Sequence, residues 1–306
     1  MPRDRYLELF AHVVGRFQDV TVLVRKNALK LFDQLVQIFG IIFNVDRNRN
    51  ETFLHLDQVK AELADATQTC EKGEVDLAQV EQQIKAIEQR LRESHPDPDA
   101  HRGACEGDAE YGRWAGQLRE HREAVHKAEF IRQQYEDYRH FVEGVNDAAG
   151  VLESMLSSKS VQDTVEAVRT FKLLRIFGFQ AAEPGLRKML TLLFSKDDAV
   201  AREAVETYEF LYFARGLDAD QKTANLLRLM KGATLTDLTC LEELLKRLLA
   251  SGAVDHKVTK HLISTYAKQD FSALDGMPTE EQRARLYHAR LEQRHALQIL
   301  RMITAG

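Results

Sequence analysis

The chain has 306 residues, 44% of them apolar and 29% charged, with a formal net charge of −5. That composition fits a folded protein with a sizeable core, and length alone suggests about two domains. No stretch approaches the roughly 20 apolar residues that span a bilayer. The longest apolar cluster, Ile38 to Val45, is too short and is broken by Gly40 and Asn44. The start shows no signal-peptide pattern. Cys70, Cys105 and Cys240 are odd in number and far apart, so they make neither a disulfide framework nor a zinc motif, which points to a reducing compartment.

Proline occurs five times, and the abundant Leu, Ala, Glu, Gln, Lys and Arg are the residues that lose least on entering a helix. Residues 1–45 predict one and a half helical hairpins. Tyr6, Leu7, Phe10, Val13 and Val14 share a helical spacing, as do Val24, Ala28, Leu31, Phe32 and Leu35. Asp19, at the short turn between them, is placed to cap the second helix. The Val24-Arg25…Ala28 pattern is typical of the second helix of a HEAT repeat. In it the alanine permits close helix approach and the arginine pairs with a carboxylate near the turn, Asp19 being one candidate.

Residues 46–156 follow a different rhythm. Leu56, Val59, Leu63, Ala66, Cys70, Gly73, Leu77, Val80, Ile84, Ile87 and Leu91 alternate spacings of three and four, a heptad seam flawed by its glycine. A second helical run from Tyr111 carries Trp114, Leu118, Val125, Ala128, Tyr135, Tyr138 and Phe141. Between them, residues 94–112 are rich in Pro, Gly and Asp and predict a mobile loop. The expectation is an antiparallel, coiled-coil-like helical hairpin.

Shorter helices return from residue 157. They are predicted over Asp163–Phe177, closed by Gly178, and over Pro184–Phe194, with proline in the first turn. Further helices follow over Ala199–Phe213, Gln221–Met230, Leu235–Ala250, Val254–Ala267 and Glu280–Thr304. The last is expected to pack Leu286, Leu291, Leu297, Leu300 and Ile303. Val168, Arg202 and Leu241 recur at separations approaching the HEAT period of about 40–47 residues. The predicted fold is all-α: HEAT-type repeats over 1–45 and 157–306, an α-solenoid interrupted by a long antiparallel helical hairpin over 46–156.

Charge divides along the same lines. Residues 46–156 hold 24 acidic against 14 basic side chains, while the flanking segments are neutral to slightly basic. An acidic hairpin reads first as a solvated surface; its functional alternatives are a dock for a basic partner or a brake on DNA contact. Arg187, Lys188 and Lys196 form the best small basic cluster. Such residues at repeat turns pair with carboxylates of a neighbouring repeat, or else they contact DNA phosphates. His95 and His101 share a loop with Cys105, but the spacing is poor for a metal site. With no Gly-x-Ser-x-Gly, P-loop or His-Glu-x-x-His pattern, no catalytic site, metal or cofactor is expected.

Several segments resemble one family in collinear order. Gly185-Leu-Arg-Lys-Met-Leu190 with Phe194-Ser-Lys-Asp197, then Arg202-Glu-Ala-Val205 with Tyr208 and Leu211-Tyr212, resemble the D2-type HEAT-repeat regulatory subunits of condensin. Leu23-Val-Arg-Lys-Asn-Ala-Leu-Lys-Leu31 and Cys240-Leu-Glu-Glu-Leu244 are similar to flanking motifs of that family. The family usually has tryptophan where this chain has Phe194, and an aromatic core role is expected to survive the change. Family members are much longer, so the resemblance implies a central fragment with Met1 an added start. It further implies a nuclear, chromosomal scaffold, in part cytoplasmic, that binds a kleisin subunit and SMC ATPase heads in mitotic chromosome condensation. Arg215 and Gly216, in the loop after the Tyr-x-x-Leu-Tyr helix, would then meet an SMC head. The rival expectations are direct double-stranded DNA binding and a HEAT adaptor of another complex, such as a cohesin regulator or a transport receptor.

Overall fold

The structure, a computed structural model, describes residues 3–42, 56–94, 102, 105, 108–214, 216–267 and 280–305. The fold is all-α. Its helices are α1 Arg3–Gly15, α2 Val22–Ile42, α3 Leu56–Ser94, α4 Ala109–Met155, α5 Val161–Ile176, α6 Ala182–Met189, α7 Asp198–Tyr212, α8 Ala219–Met230, α9 Leu235–Ala250, α10 His256–Ala267 and α11 Glu280–Ala305. Short 3-10 turns follow α1 (Arg16–Gln18) and α6 (Leu190–Phe194). Two compact units result: residues 1–53 with 146–306, and residues 54–145.

In the first, discontinuous unit, helices stack in pairs, one of which joins the two separate stretches of chain. α1 packs on α2, α2 on α5, α5 on α7, α8 on α10, and α9 and α10 on α11. Contact between alternate helices is what a helical solenoid requires, because each hairpin buries its apolar face on the next. The α1–α2 core is aromatic: the Phe10 and Phe32 ring centroids lie 5.0 Å apart, and Phe17 meets Phe32 edge-on at 5.3 Å. α2 meets the later helices through Gly40, where an added Cβ would collide with the Phe177 ring. α5 buries Thr164, Ala167, Val168, Phe171 and Leu174, one face at helical spacing. Gly185 of α6 is pressed against the Phe171 ring in the same way.

Local chemistry explains the helix ends. Ser160 caps α5 by accepting from the Asp163 N–H, and Gly178 at φ 80° closes it. The Gly178 N–H donates to the Arg175 carbonyl and the Phe179 N–H to the Leu174 carbonyl, a Schellman closure. Reciprocal capping boxes start α8 (Asp218, Gln221) and α9 (Thr234, Asp237). α6 begins at Ala182, two residues earlier than its proline suggested. Pro184 still falls in the first turn, where its missing N–H is harmless.

Arg25 of α2 and Asp163 of α5 form the central polar tie of this unit. The guanidinium donates to Asp163 Oδ2 through Nη2 at 2.6 Å and Nε at 3.1 Å, and through Nη1 to the carbonyls of Asp19 and Val20. Ser158 donates to the same carboxylate oxygen at 3.1 Å. The carboxylate partner is therefore Asp163 and not the nearby Asp19, which contributes only its carbonyl. Asp19 also does not cap the first helical turn, since its side chain accepts from the Thr21 N–H at 3.0 Å, ahead of α2.

The second unit holds α3 and residues 109–145 of α4, paired in opposite chain directions. Arg90 meets Glu110 at 3.1 Å, Tyr111 donates to Glu88 at 3.2 Å and Arg122 meets Glu81 at 3.0 Å. Val59, Ala66, Cys70, Val80, Ile84 and Ile87 are the buried positions of the seam. Gly73 faces Val125, where a Cβ would come within 3.1 Å of the valine methyl, so the glycine keeps the helices close. The expected mobile loop falls mainly on residues outside those described.

Several core expectations need correction. Phe194 is 56% exposed, because it ends its 3-10 turn pointing outward while Leu190 and Leu193 take the core. Leu297 is likewise exposed, and Ala296 and Ile299 form the buried stripe of α11; the Leu286 side chain lies outside the described residues. Val168 and Leu241 are buried but Arg202 is exposed, so those three positions do not share one environment.

Two substitutions test this packing. Asp163→Ala leaves the Arg25 guanidinium without its carboxylate and should lower unfolding stability by about 3 kcal/mol in urea denaturation. Gly185→Ala should lower it by about 2 kcal/mol through overpacking. Adding Phe171→Leu, which frees space at the same contact, should recover part of the second loss.

Candidate functional site

α6 presents Arg187 and Lys188 consecutively, and they turn to different neighbours. Arg187 donates to the carbonyls of Lys231 at 2.7 Å and Gly232 at 3.1 Å, with Asp237 Oδ2 at 3.8 Å. It thereby ties α6 to the α8–α9 turn. Lys188 donates to the Glu153 carbonyl at 2.8 Å and lies 3.8 Å from the Glu153 carboxylate. Lys196 is exposed, beyond the 3-10 turn. Two of the three cations thus serve contacts inside the first unit.

The α7 helix that precedes the Arg215–Gly216 loop is fixed by its tyrosines. Tyr208 is buried and donates to the Leu186 carbonyl, and it stacks on Tyr212 with centroids 5.9 Å apart. Burial pushes both phenols above their ordinary pKa, so they remain neutral hydrogen-bonding groups. The loop itself is a turn closed by the Leu217 N–H donating to the Ala214 carbonyl at 3.0 Å. Gly216 has open space where a Cβ would sit, and Arg215 lies outside the described residues. Neither packing nor backbone demands glycine there.

Sequence reading missed a buried polar node between α2 and α5. Asp33 Oδ1 and Thr170 Oγ1 are buried without a hydrogen bond of good geometry, and the nearly buried Glu166 stands beside them. Burial, with the Glu166 charge adding to it, pushes the Asp33 carboxyl up to about 7; the Thr170 hydroxyl offsets a part. Glu166 is itself 3.7 Å from Arg169, which pairs with Glu203 of α7 at 2.8 Å. No sequence spacing signals this node, because it depends on which helix covers Asp33.

Cys70, Glu74 and Glu129 bring one ligand atom each within 4.8 Å of one another in the second unit. The set could hold a divalent cation, but desolvation and the Glu74 charge raise the Cys70 thiol, which opposes the thiolate that a metal needs. Of the trio His95, His101 and Cys105, Cys105 is buried, and His95 and His101 lie outside the described residues.

Open grooves are the other notable surface features. One, of about 350 Å³ and lying between α1 and α2, is lined by His12, Val13, Arg16, Val24, Asn27, Ala28 and Leu31. Another, in the second unit, is rimmed by Glu62 and Asp65 over Ala61, Ala66 and Ile131. Among the described residues no helix is long and apolar enough to cross a membrane.

No protein-family model matches the chain. Condensin complex subunit 1 of Schizosaccharomyces pombe is 23% identical over 288 residues, covering 89% of this chain and 24% of that protein. The protein of the same name from Saccharomyces cerevisiae is 22% identical over 275 residues, covering 83% of this chain and 23% of its own length. That from Xenopus laevis is 25% identical over 185 residues, covering 59% and 12%. The chain thus spans about a quarter or less of these relatives, and the similarity marks a distant HEAT-repeat, condensin-like relationship.

The α2–α5 node makes stability depend on pH. Asp33 takes up a proton on folding, so stability is unpenalised below about pH 4, falls as pH rises through the interval to about 7, and levels off above it. Asp33→Asn should remove this slope. The gain in unfolding free energy over the parent protein should be about 3 kcal/mol larger at pH 8 than at pH 5, measured by denaturant titration.

Proposed function

We propose that this chain is a scaffold segment of a condensin-type complex: a HEAT solenoid over 1–45 and 157–306, interrupted by the acidic antiparallel hairpin of 46–156. The chain is non-catalytic and all-helical. Its work is to hold a kleisin subunit and an SMC ATPase head on chromosomes in the nucleus, with ATP hydrolysis left to the SMC partners. The observation that carries this reading is the similarity to condensin complex subunit 1, which runs over 89% of the chain. Stacked alternate helices support it, since they leave extended surfaces on which a partner peptide can lie. The Arg215–Gly216 turn is the proposed SMC-head contact. Its Gly216 is not required by the fold, which leaves it available for an interface role.

A second reading assigns Arg187, Lys188 and Lys196 to DNA phosphates. The exposed Lys196 favours it, while the internal hydrogen bonds of Arg187 and Lys188 weigh against it.

One set of binding experiments separates the two. Size-exclusion chromatography of the chain with a condensin kleisin and SMC head domains should yield a co-migrating complex. Arg215→Glu should lower head binding at least tenfold without changing the circular dichroism. Failure to co-migrate with either partner sinks the scaffold reading. Under the DNA reading, duplex binding instead weakens by decades between 50 and 200 mM salt, as expected for several phosphate contacts.

A further inference from the structure

Asp33 of α2 and the pair Glu166 and Thr170 of α5 bring three oxygen-bearing side chains to the α2–α5 contact. Glu166 and Thr170 stand one turn apart on α5 and are buried, at 7% and 0% exposure. Thr170 differs from other helical threonines of the chain in the use of its hydroxyl. Thr67, Thr223 and Thr265 donate to the carbonyl four residues back. Thr170 Oγ1 makes no such bond, and no other hydrogen bond of good geometry, although its residue is fully buried. The group it stands beside is the Asp33 carboxyl, whose Oδ1 is buried and equally unpartnered.

Charge at this contact is unbalanced. The charge acting on Asp33 is that of Glu166, which has the same sign. Arg169 of α5 is 3.7 Å from Glu166, but it is half-exposed and its closer partner is Glu203 of α7 at 2.8 Å. One guanidinium thus serves two carboxylates, and Asp33 is a third. On α2, Lys30 and Gln37 lie one turn to either side of Asp33, and both are exposed. Arg25 is two turns away and held by Asp163. The α1 helix and its 3-10 turn meet α2 through Phe10, Phe17 and Phe32. His12 and Arg16 line the groove beside Leu31, about 200° round the helix from Asp33. Desolvated carboxylate oxygens with a free hydroxyl among them are the donor set of a hard cation.

We propose that Asp33, Glu166 and Thr170 bind a hard divalent cation, Mg²⁺ or Ca²⁺, between α2 and α5. The donors are all oxygen, which suits these ions better than zinc or copper, whose protein sites draw on imidazole or thiolate. Asp33 is only half-buried, so water can complete the coordination, as it commonly does for Mg²⁺. Two positive charges offset Asp33 and Glu166 together, and the ion competes with the proton for Asp33. Burial holds that proton up to about pH 7, so cation binding strengthens as pH rises through this value. The two stretches that build the first unit would then share a second tie beside Arg25–Asp163. Cation supply and pH would together set how firmly the α1–α2 hairpin is held. The inference is independent of the condensin reading, which concerns partner chains.

The test uses the full 306-residue chain, stripped with EDTA and dialysed into chelator-free buffer. Isothermal titration at pH 8 with MgCl2 and with CaCl2 should show saturable binding of at least one ion. That ion, at saturation, should raise the thermal midpoint by about 3 °C or more over NaCl of equal ionic strength. At pH 5 the affinity should fall at least tenfold, because Asp33 then keeps its proton. Asp33→Asn should weaken binding at least tenfold at pH 8, and Thr170→Val several-fold, both with circular dichroism unchanged. Glu129→Gln should leave the binding as it is, which separates this site from the Cys70–Glu74–Glu129 set of the second unit. No saturable binding of either ion at pH 8 overturns the proposal. So does binding that Asp33→Asn or Thr170→Val leaves intact, or that Glu129→Gln abolishes. Stability that follows pH but neither ion would also overturn it, with Asp33 a proton site alone. None of these readouts involves kleisin or SMC binding, so the two readings fail separately.

Discussion

Arg25 and Asp163 are 138 positions apart in the chain, yet two guanidinium nitrogens donate to one oxygen of a carboxylate that is almost fully buried. The unit containing them is built from two stretches, residues 1–53 and 146–306, so something must join α2 to α5 without help from chain proximity. The guanidinium does this with five-donor economy. It gives two hydrogen bonds to Asp163 Oδ2 and one to each of the two carbonyls of the turn before α2, while Asp163 Oδ1 stays buried without a hydrogen bond. The neighbouring serines complete the arrangement: Ser160 caps α5 and Ser158 binds the same Asp163 oxygen. The aromatic packing of α1 on α2 can then be carried onto the later helices through the Gly40–Phe177 contact.

Polar ties of the same type recur further along. Arg187 closes on the α8–α9 turn, Arg169 reaches Glu203, and Arg247 donates to the Leu193 carbonyl at 2.8 Å. Each joins helices that are neighbours in space but separated in sequence, and each uses arginine, whose planar fork can hold two acceptors. Against these, Asp33 is the exception: a carboxyl at a helix contact with no cation supplied. The first unit therefore combines arginine-tied junctions with one that is tuned by proton uptake.

Much of the helix plan was legible in the sequence. The span of α9 follows from Thr234 and Asp237 at its start and Ser251-Gly252 at its end, and α5 from Ser160 and Gly178; these are local signals with local causes. The seam of the long α3 helix was legible too, since a heptad repeat fixes which residues turn inward. Facing decisions inside short helices were less legible. Phe194 and Leu297 are apolar and at plausible spacings, yet a 3-10 turn rotates the first outward, and Ala296 and Ile299 displace the second. The partner of Arg25 and the burial of Asp33 depend on which helices meet, and no local pattern carries that. The Cys70–Glu74 pair was visible at four-residue spacing, but Glu129 joins it only through the register of α3 against α4.

The discontinuity of the first unit also has a temporal side. A ribosome that has released α1 and α2 must add well over a hundred residues before Asp163 emerges to receive Arg25. At about 5–20 residues per second, the wait is roughly six to twenty-four seconds. During that interval the surface of α2 destined for α5 and Phe177 stands uncovered beside a growing polypeptide. The interposed helices thus act as a delay line in the synthesis of the fold.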